Sequence, residues 1–283
     1  MPELPEVEVL VRHLKPLLRR KVIRGVQVNR DRVLRPTHAR TFKRTLEGAR
    51  FIHLTRRGKY LLFEISPRQG RQRRILLGHL GMTGRMYLVP SKAALPKHAA
   101  VVLDLGDSLF VFEDTRYFGR LTLDTTAVEG LGPEPLGSDF TIARLAADLA
   151  RSNQPIKVKL LDQSLVAGIG NIYASEALLR AGISPKRPAK SLSPAGVKRL
   201  WHAIRQTLTD AVAFGSTVPL DYAGTGRGER LFYYGQMPDT ETRFDERLQV
   251  YDREGKPCRH CSTPIKRIVQ AARSTFFCPK CQS

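Results

Sequence analysis

Cys258-Arg-His-Cys261 and Cys278-Pro-Lys-Cys281 lie near the end of the sequence, separated by 16 residues, and contain all four cysteines of the 283-residue chain. Each Cys-x-x-Cys hook offers two thiolates to one ion, and the spacer is long enough for a β-hairpin that returns the second hook to the first. The natural product is a zinc ribbon holding one structural Zn2+, because four thiolates leave no open position for water. Two disulfides are the competing use of these cysteines. A strongly basic chain without a signal peptide is expected in the cytoplasm, where thiols stay reduced, and this favours the metal. The spacer, Ser262-Thr-Pro-Ile-Lys-Arg-Ile-Val-Gln-Ala-Ala-Arg-Ser-Thr-Phe-Phe277, alternates apolar and polar residues and carries Lys266, Arg267 and Arg273. A metal-held hairpin can aim a side chain at its turn outward from a rigid mount. Arg273 is the candidate, with a solvated surface arginine as the plain alternative.

The chain carries 47 Lys and Arg against 26 Asp and Glu, a formal charge of +21, and its isoelectric point is about 10.4. Such an excess favours a polyanion, and with a zinc ribbon it makes nucleic acid the expected partner. No apolar run approaches the ~20 residues needed to span a bilayer, so no membrane partner is expected.

Outward from the ribbon, the first half of the sequence is built of short alternating or β-branched runs. They lie at Val22–Asn29, Arg50–Thr55, Tyr60–Ile65, Ile75–Leu80, Arg85–Val89, Ala99–Leu105, Leu109–Glu113 and Arg120–Leu123. Eight short strands at this spacing suggest a β-sandwich or flattened barrel. A helix precedes them, since Val7, Leu10, Val11 and Leu14 recur at helical intervals. Near residue 131 the period changes to helical, through Leu145 and Leu149, then Ile156 to Leu161, Ile172 to Leu179, and Trp201 to Val212. Pro133 and Pro135 mark a linker there. The segment Ala167-Gly-Ile-Gly-Asn171 joins two helical patterns. Its glycines permit a tight turn, and Asn171 is suited to cap the helix that follows, giving a helix-turn-helix-like unit able to receive a phosphate. A plain interhelical turn is the leading reading of such a connection, and Lys157 and Lys159 just before it shift the balance modestly towards a DNA backbone contact.

The start reads Met1-Pro-Glu-Leu-Pro-Glu-Val-Glu8. Methionine removal is favoured before a small residue, and the exposed Pro2 would then carry a secondary amine. An α-amine has a reference pKa near ~8, and the positive end of a following helix lowers it further. Such an amine attacking an aldehydic sugar carbon gives an iminium that is cationic without protonation. Glu3 is placed to carry protons and Glu6, one turn on, to orient Pro2. Read by composition alone, the same residues are ordinary helix-start residues.

These segments together resemble the formamidopyrimidine-DNA glycosylase (Fpg) family along nearly the whole chain. The matching stretches are MPELPEVE at the start, RRGKYLLFE at 56–64, HLGMTGR at 79–85, DTRYFGRL at 114–121, LGPEPL at 131–136, LLDQSLVAGIGNIYASEALLRAGISP at 160–185, and the ribbon ending ARSTFFCPKCQ. Leucine at position 4 is similar to Fpg rather than to the endonuclease VIII branch, which typically has glycine there. The resemblance implies an α+β multidomain protein. Its parts would be an N-terminal helix plus eight-stranded β-sandwich as catalytic domain (1–130), a helical domain with a helix-two-turn-helix and lesion-covering loop (131–247), and a C-terminal zinc-ribbon finger (248–283). It implies a monomeric bacterial cytoplasmic enzyme, nucleoid-associated when bound to damaged double-stranded DNA. This enzyme would excise 8-oxoguanine and formamidopyrimidines and then cleave the abasic strand by β,δ-elimination.

By the same resemblance Pro2 is the Schiff-base nucleophile, Glu3 the proton donor, Lys59 the β-elimination residue and Arg273 the δ-elimination residue. Met82, Arg116 and Phe118 fill the space left by the flipped lesion, while His79, His98, Lys157 and Asn171 lie near the DNA backbone. Cys258, Cys261, Cys278 and Cys281 hold the metal. For Met82 and Phe118 the competing reading is core packing. The family often has proline and a second arginine where Thr115 and Tyr117 stand here. The segment 215–247 is longer than usual, and Thr217, Tyr222, Arg227 and Tyr233 are candidate base contacts within it. The alternatives carried forward are an endonuclease VIII-like glycosylase for oxidised pyrimidines and a non-catalytic zinc-ribbon DNA-binding protein.

Overall fold

The computed structural model describes residues 2–68, 72–213 and 248–283. Met1 and the contacts expected at Thr217, Tyr222, Arg227 and Tyr233 lie outside the described residues. The described residues up to Glu129 form one compact unit and those from Gly130 onward form a second.

In the first unit, helix α1 (Leu4–Leu18) buries Leu4, Val7, Leu10, Val11, Leu14 and Leu18, one face of a 3.6-residue period. Each such side chain removed from water contributes about 1.5–3 kcal/mol, an upper figure given the compactness of real unfolded chains. Pro5 is tolerated in its first turn, where the missing N–H has no intrahelical acceptor. The helix packs against β2 (Arg50–Arg57) and β3 (Tyr60–Ser66). With β4 (Arg74–His79) and β8 (Arg120–Thr122) these form an antiparallel sheet in the order β2-β3-β4-β8. A second antiparallel sheet runs β1-β6-β7-β5, from β1 (Gly25–Val28), β5 (Arg85–Pro90), β6 (Ala99–Asp104) and β7 (Ser108–Glu113). Leu61, Phe63 and Ile65 of β3 turn inward in strict alternation. Phe63 meets Phe110 of β7 edge to face at 5.7 Å, so the two sheets share one core and the sandwich reading holds.

Two details differ from the sequence reading. The run Val22–Asn29 forms a strand only over Gly25–Val28, with Val22 making an isolated bridge to Arg50. Helix α2 (Ala39–Leu46) was not anticipated, because only Phe42 and Leu46 of it are buried and two apolar positions make no period.

The second unit contains α3 (Ile142–Ala150), a single turn α4 (Ile156–Lys159), α5 (Asn171–Ala181) and α6 (Pro194–Ala213), and the ribbon strands β9 (Lys266–Gln270) and β10 (Arg273–Phe277). Helix α5 is buried on nearly every face, between α6 and β10. Gly182, in the left-handed region at φ 67°, ends it, and the N–H groups of Gly182 and Ile183 donate to Leu179 and Leu178. The segment read as a linker is pinned to this unit. Gly132 N–H donates to Gln163 at 2.8 Å, Ala167 N–H donates to Pro133 at 3.0 Å, and the Arg205 guanidinium holds the carbonyls of Pro135 and Gly137.

The ribbon shares a small core with α5 through Leu179, Val250, Cys258, Ile265, Phe276 and Cys278. Gln282 bridges Ile183 and Cys278, and the buried Glu176 accepts the N–H groups of Gln249, Val250 and Tyr251 at 2.9, 3.0 and 2.9 Å. Burial pushes the Glu176 carboxyl up, and the three amides and Arg253 pull against it. Glu176→Ala strands one buried and two partly buried donors, so it should cost about 3–5 kcal/mol of stability. Denaturant unfolding followed by Trp201, the one tryptophan in the chain, reports on this unit. A loss under about 1 kcal/mol would show that the amides find other partners.

Candidate functional site

Pro2 and Glu3 enter α1 from within the first unit, and both are buried, Glu3 to 1% exposure. Glu3 is the N-cap of α1. Its side chain accepts from Glu6 N–H while Glu6 Oε2 accepts from Glu3 N–H at 2.7 Å, a reciprocal capping box. The acidic start is therefore a helix cap, as the plain reading requires, and the same bonds hold the Glu3 and Glu6 carboxylates in place at the start of α1. Lys59 sits in the two-residue turn between β2 and β3, where Arg57 pairs with Tyr60 and Gly58 takes φ 55°. It is 7% exposed. Behind this turn Arg56 donates to Gly58 O at 2.9 Å and to Glu8 Oε2 at 2.9 Å, and Glu8 also accepts from Arg12. Burial pushes the Glu8 carboxyl up, but Arg56 and Arg12 outweigh it and hold it below the usual carboxylate value. Glu8 and Arg56 thus tie the helix carrying Pro2 to the hairpin carrying Lys59. The sequence reading missed both, and no local signal pairs residues so far apart.

His79 ends β4 opposite Tyr60, with ring centroids 4.7 Å apart. Burial, followed by the charges of Lys59 and Arg120, lowers its pKa to about 4. Its Nδ1 accepts from Gly81 N–H at 3.1 Å, so the neutral ring carries its proton on Nε2. The three residues expected to wedge the duplex are outside the core. Met82 is 41% and Phe118 45% exposed, and the Arg116 guanidinium lies 4.9 Å over the Phe118 ring. This removes the core-packing alternative. His98, half-buried, faces the Tyr117 hydroxyl at 3.4 Å.

In the second unit Gly168 has φ 89° and Gly170, extended, is the N-cap of α5. Asn171 is therefore not the cap expected from sequence. It is the first residue of the helix, and its side chain has better partners: Oδ1 accepts from Lys157 Nζ at 2.6 Å, and Nδ2 donates to Ser274 O at 2.8 Å. Lys157 is 0% exposed, and Lys159 is paired with Asp162. The Asn171 bond reaches β10 one residue from Arg273. Arg273 itself is exposed and follows a two-residue turn of Ala271 and Ala272 at φ 47° and 58°, left-handed positions that alanine rarely takes.

The four cysteines bring their sulfurs within 4.8 Å of one another. The Cys258–Cys281, Cys261–Cys278 and Cys261–Cys281 separations are 3.9, 3.4 and 3.4 Å, far from the ~2.05 Å of a disulfide and near the ~3.8 Å edge of a tetrahedron with ~2.3 Å Zn–S bonds. The cysteines are free thiols set for one structural zinc.

Comparison with known proteins agrees with this arrangement. Residues 1–121 match the formamidopyrimidine-DNA glycosylase N-terminal domain, 131–220 the formamidopyrimidine-DNA glycosylase H2TH domain, and 255–283 the zinc finger found in FPG and IleRS. The formamidopyrimidine-DNA glycosylase of Symbiobacterium thermophilum is 42% identical, covering 100% of this chain and 89% of that protein. That of Moorella thermoacetica is 44% identical over 95% of this chain and 94% of its own. A Lactococcus lactis Fpg mutant in complex with Fapy-dG containing DNA superposes with TM-score 0.86 at 32% identity, covering 99% of both chains. Matching along its whole length in domain order, in fold and in metal ligands, the chain belongs to the formamidopyrimidine-DNA glycosylase family.

Proposed function

We propose that this protein is a bifunctional DNA glycosylase and abasic-site lyase that excises oxidised purines, 8-oxoguanine and formamidopyrimidines, from double-stranded DNA. The observation that carries the reading is the rigid, buried setting of Pro2 and Glu3, tied through Glu8 and Arg56 to the turn that holds Lys59. In this scheme the Pro2 lone pair forms a bond to C1′ as the glycosidic bond breaks and the base departs with its electrons and a proton. Glu3 protonates O4′ as the sugar opens, leaving an iminium. Loss of a C2′ proton then expels the 3′ phosphate, with Lys59 serving this β-elimination. A second elimination, served by Arg273, expels the 5′ phosphate and leaves phosphate at both ends of the gap.

Residues 1–130 supply the catalytic sandwich, 131–247 the helical part and 248–283 the ribbon, and the protein works as a bacterial cytoplasmic monomer. Met82, Arg116 and Phe118 offset the few kcal/mol lost when a base leaves the stack. His79, His98 and Asn171 hold the DNA backbone. Lys157, being buried, acts on it through Asn171.

Pro2→Gly exchanges the secondary amine for a primary one whose imine must be protonated before it can act as an electron sink, so it should retain binding to a duplex containing 8-oxoguanine and lose abasic-strand cleavage by about tenfold or more. Faster processing of thymine glycol than of 8-oxoguanine by the unaltered protein would point instead to the pyrimidine branch. Chelation of the zinc should weaken DNA binding and abolish δ-elimination together, since it unfolds the hairpin bearing Arg273. Tight binding by zinc-free protein would contradict this. In the DNA-free protein burial and the charges of Lys59 and Arg120 keep His79 neutral down to about pH 4, so it meets a phosphate as an uncharged N–H donor. His79→Gln should therefore weaken binding without altering its pH dependence between about pH 5 and 8.

A further inference from the structure

The loops bearing Met82 and Arg116–Phe118 come from different parts of the chain, and their backbones touch. A Cβ on Gly81, which lies at φ 61°, would stand 2.6 Å from Gly119 N and 2.7 Å from the Phe118 carbonyl carbon. Between them lies Asp114, 0% exposed, whose carboxylate is shared by both loops. Oδ1 accepts from Thr83 Oγ1 at 2.6 Å and from Arg116 N–H at 3.1 Å, and Oδ2 accepts from Gly119 N–H at 2.8 Å. Thr83 follows Met82, and Arg116 and Gly119 bracket Phe118. Asp114 N–H is itself anchored on His98 O at 3.1 Å. Tyr117, inside the clamped loop, is held at φ 53°, a backbone setting that persists for a bulky residue only where its surroundings over-determine it.

We propose that Asp114 is the positioning residue of the wedge: it locks Met82, Arg116 and Phe118 into one preformed surface, so that the energy of insertion is not spent on ordering two loops. The proposal rests on the glycosylase reading for the identity of the DNA lesion, while the clamp is defined by the bonds above. A buried carboxylate is suited to this task because it accepts from several donors at once, where a neutral side chain of the same size cannot. Asparagine would keep the acceptor for Thr83 and Arg116 but turn an N–H2 group against Gly119 N–H.

The test uses the full-length zinc protein and a duplex with 2-aminopurine beside 8-oxoguanine, comparing the unaltered protein with Asp114→Asn and Thr83→Val. Asp114→Asn should slow both the fluorescence rise on base unstacking and lesion excision by about tenfold or more, the effect of one lost hydrogen bond to a charged group. Cleavage of a preformed abasic site, which has no base to unstack, should stay within about threefold. Thr83→Val, which removes one donor and keeps the carboxylate, should show a smaller loss of the same kind and keeps the test open if Asp114→Asn folds poorly. Equal losses in unstacking and abasic cleavage, tracking the folded fraction, would overturn the proposal, as would unchanged unstacking in both variants. Unaltered protein that unstacks the lesion without excising it would sink the glycosylase reading and leave the clamp standing.

Discussion

A chain terminus is ordinarily the least ordered part of a protein, yet the proposed chemistry places the nucleophile there. The constraint on which this structure depends is therefore the burial of α1. Val7, Leu10, Val11, Leu14 and Leu18 bind the helix to the sandwich core, and the Glu3–Glu6 capping box fixes its first turn. The helix so fixed carries Pro2 and Glu3 buried at its start. The Glu8–Arg56 pair, with side chains 22% and 10% exposed, extends the same rigidity to the turn holding Lys59. Such a pair adds little net stability against an apolar replacement, so its contribution here is registration between two elements.

The second unit meets the same demand by other means. Its finger is too small to build a core, and the metal supplies what apolar burial cannot. Glu176, Gln282 and the shared cluster around Phe276 then seat the ribbon on α5. Asn171 completes the mount, linking the start of α5 to the strand that presents Arg273. The left-handed alanines at the hairpin tip show that the position of Arg273 is held against local preference.

Much of this was legible in the sequence where the signal is local. Cysteine spacing is a local code for a metal, and period-2 burial is a local code for strands, so the ribbon and the eight strands of the sandwich were readable. Helix α2 was not, because only Phe42 and Leu46 of it are buried, with the small Ala39 packing partly buried beside them. The pairings that hold the site are long-range: Arg56 and Glu8 are 48 residues apart, and Asn171 and Ser274 are 103 apart. Nothing in a single sequence records such partners, and for this reason Asn171 read as a cap when its amide serves Lys157 and Ser274. Pro2 and Glu3 could be read from the residues as a nucleophile and its proton carrier, but only the family resemblance decided that reading over an ordinary helix start, and Lys59 was visible through the resemblance alone. Their composition alone spells a helix start and a charged turn, both of which the structure also contains.

The central claim is that the amine of Pro2 forms a covalent iminium with the lesion sugar. Borohydride reduction during reaction with a duplex carrying 8-oxoguanine opposite cytosine, followed by mass spectrometry of the cross-linked peptide, tests it directly. The expected product is an adduct on an N-terminal Pro2, which also establishes removal of Met1. An adduct on a lysine, or none from zinc-loaded protein that binds the duplex normally, would contradict it.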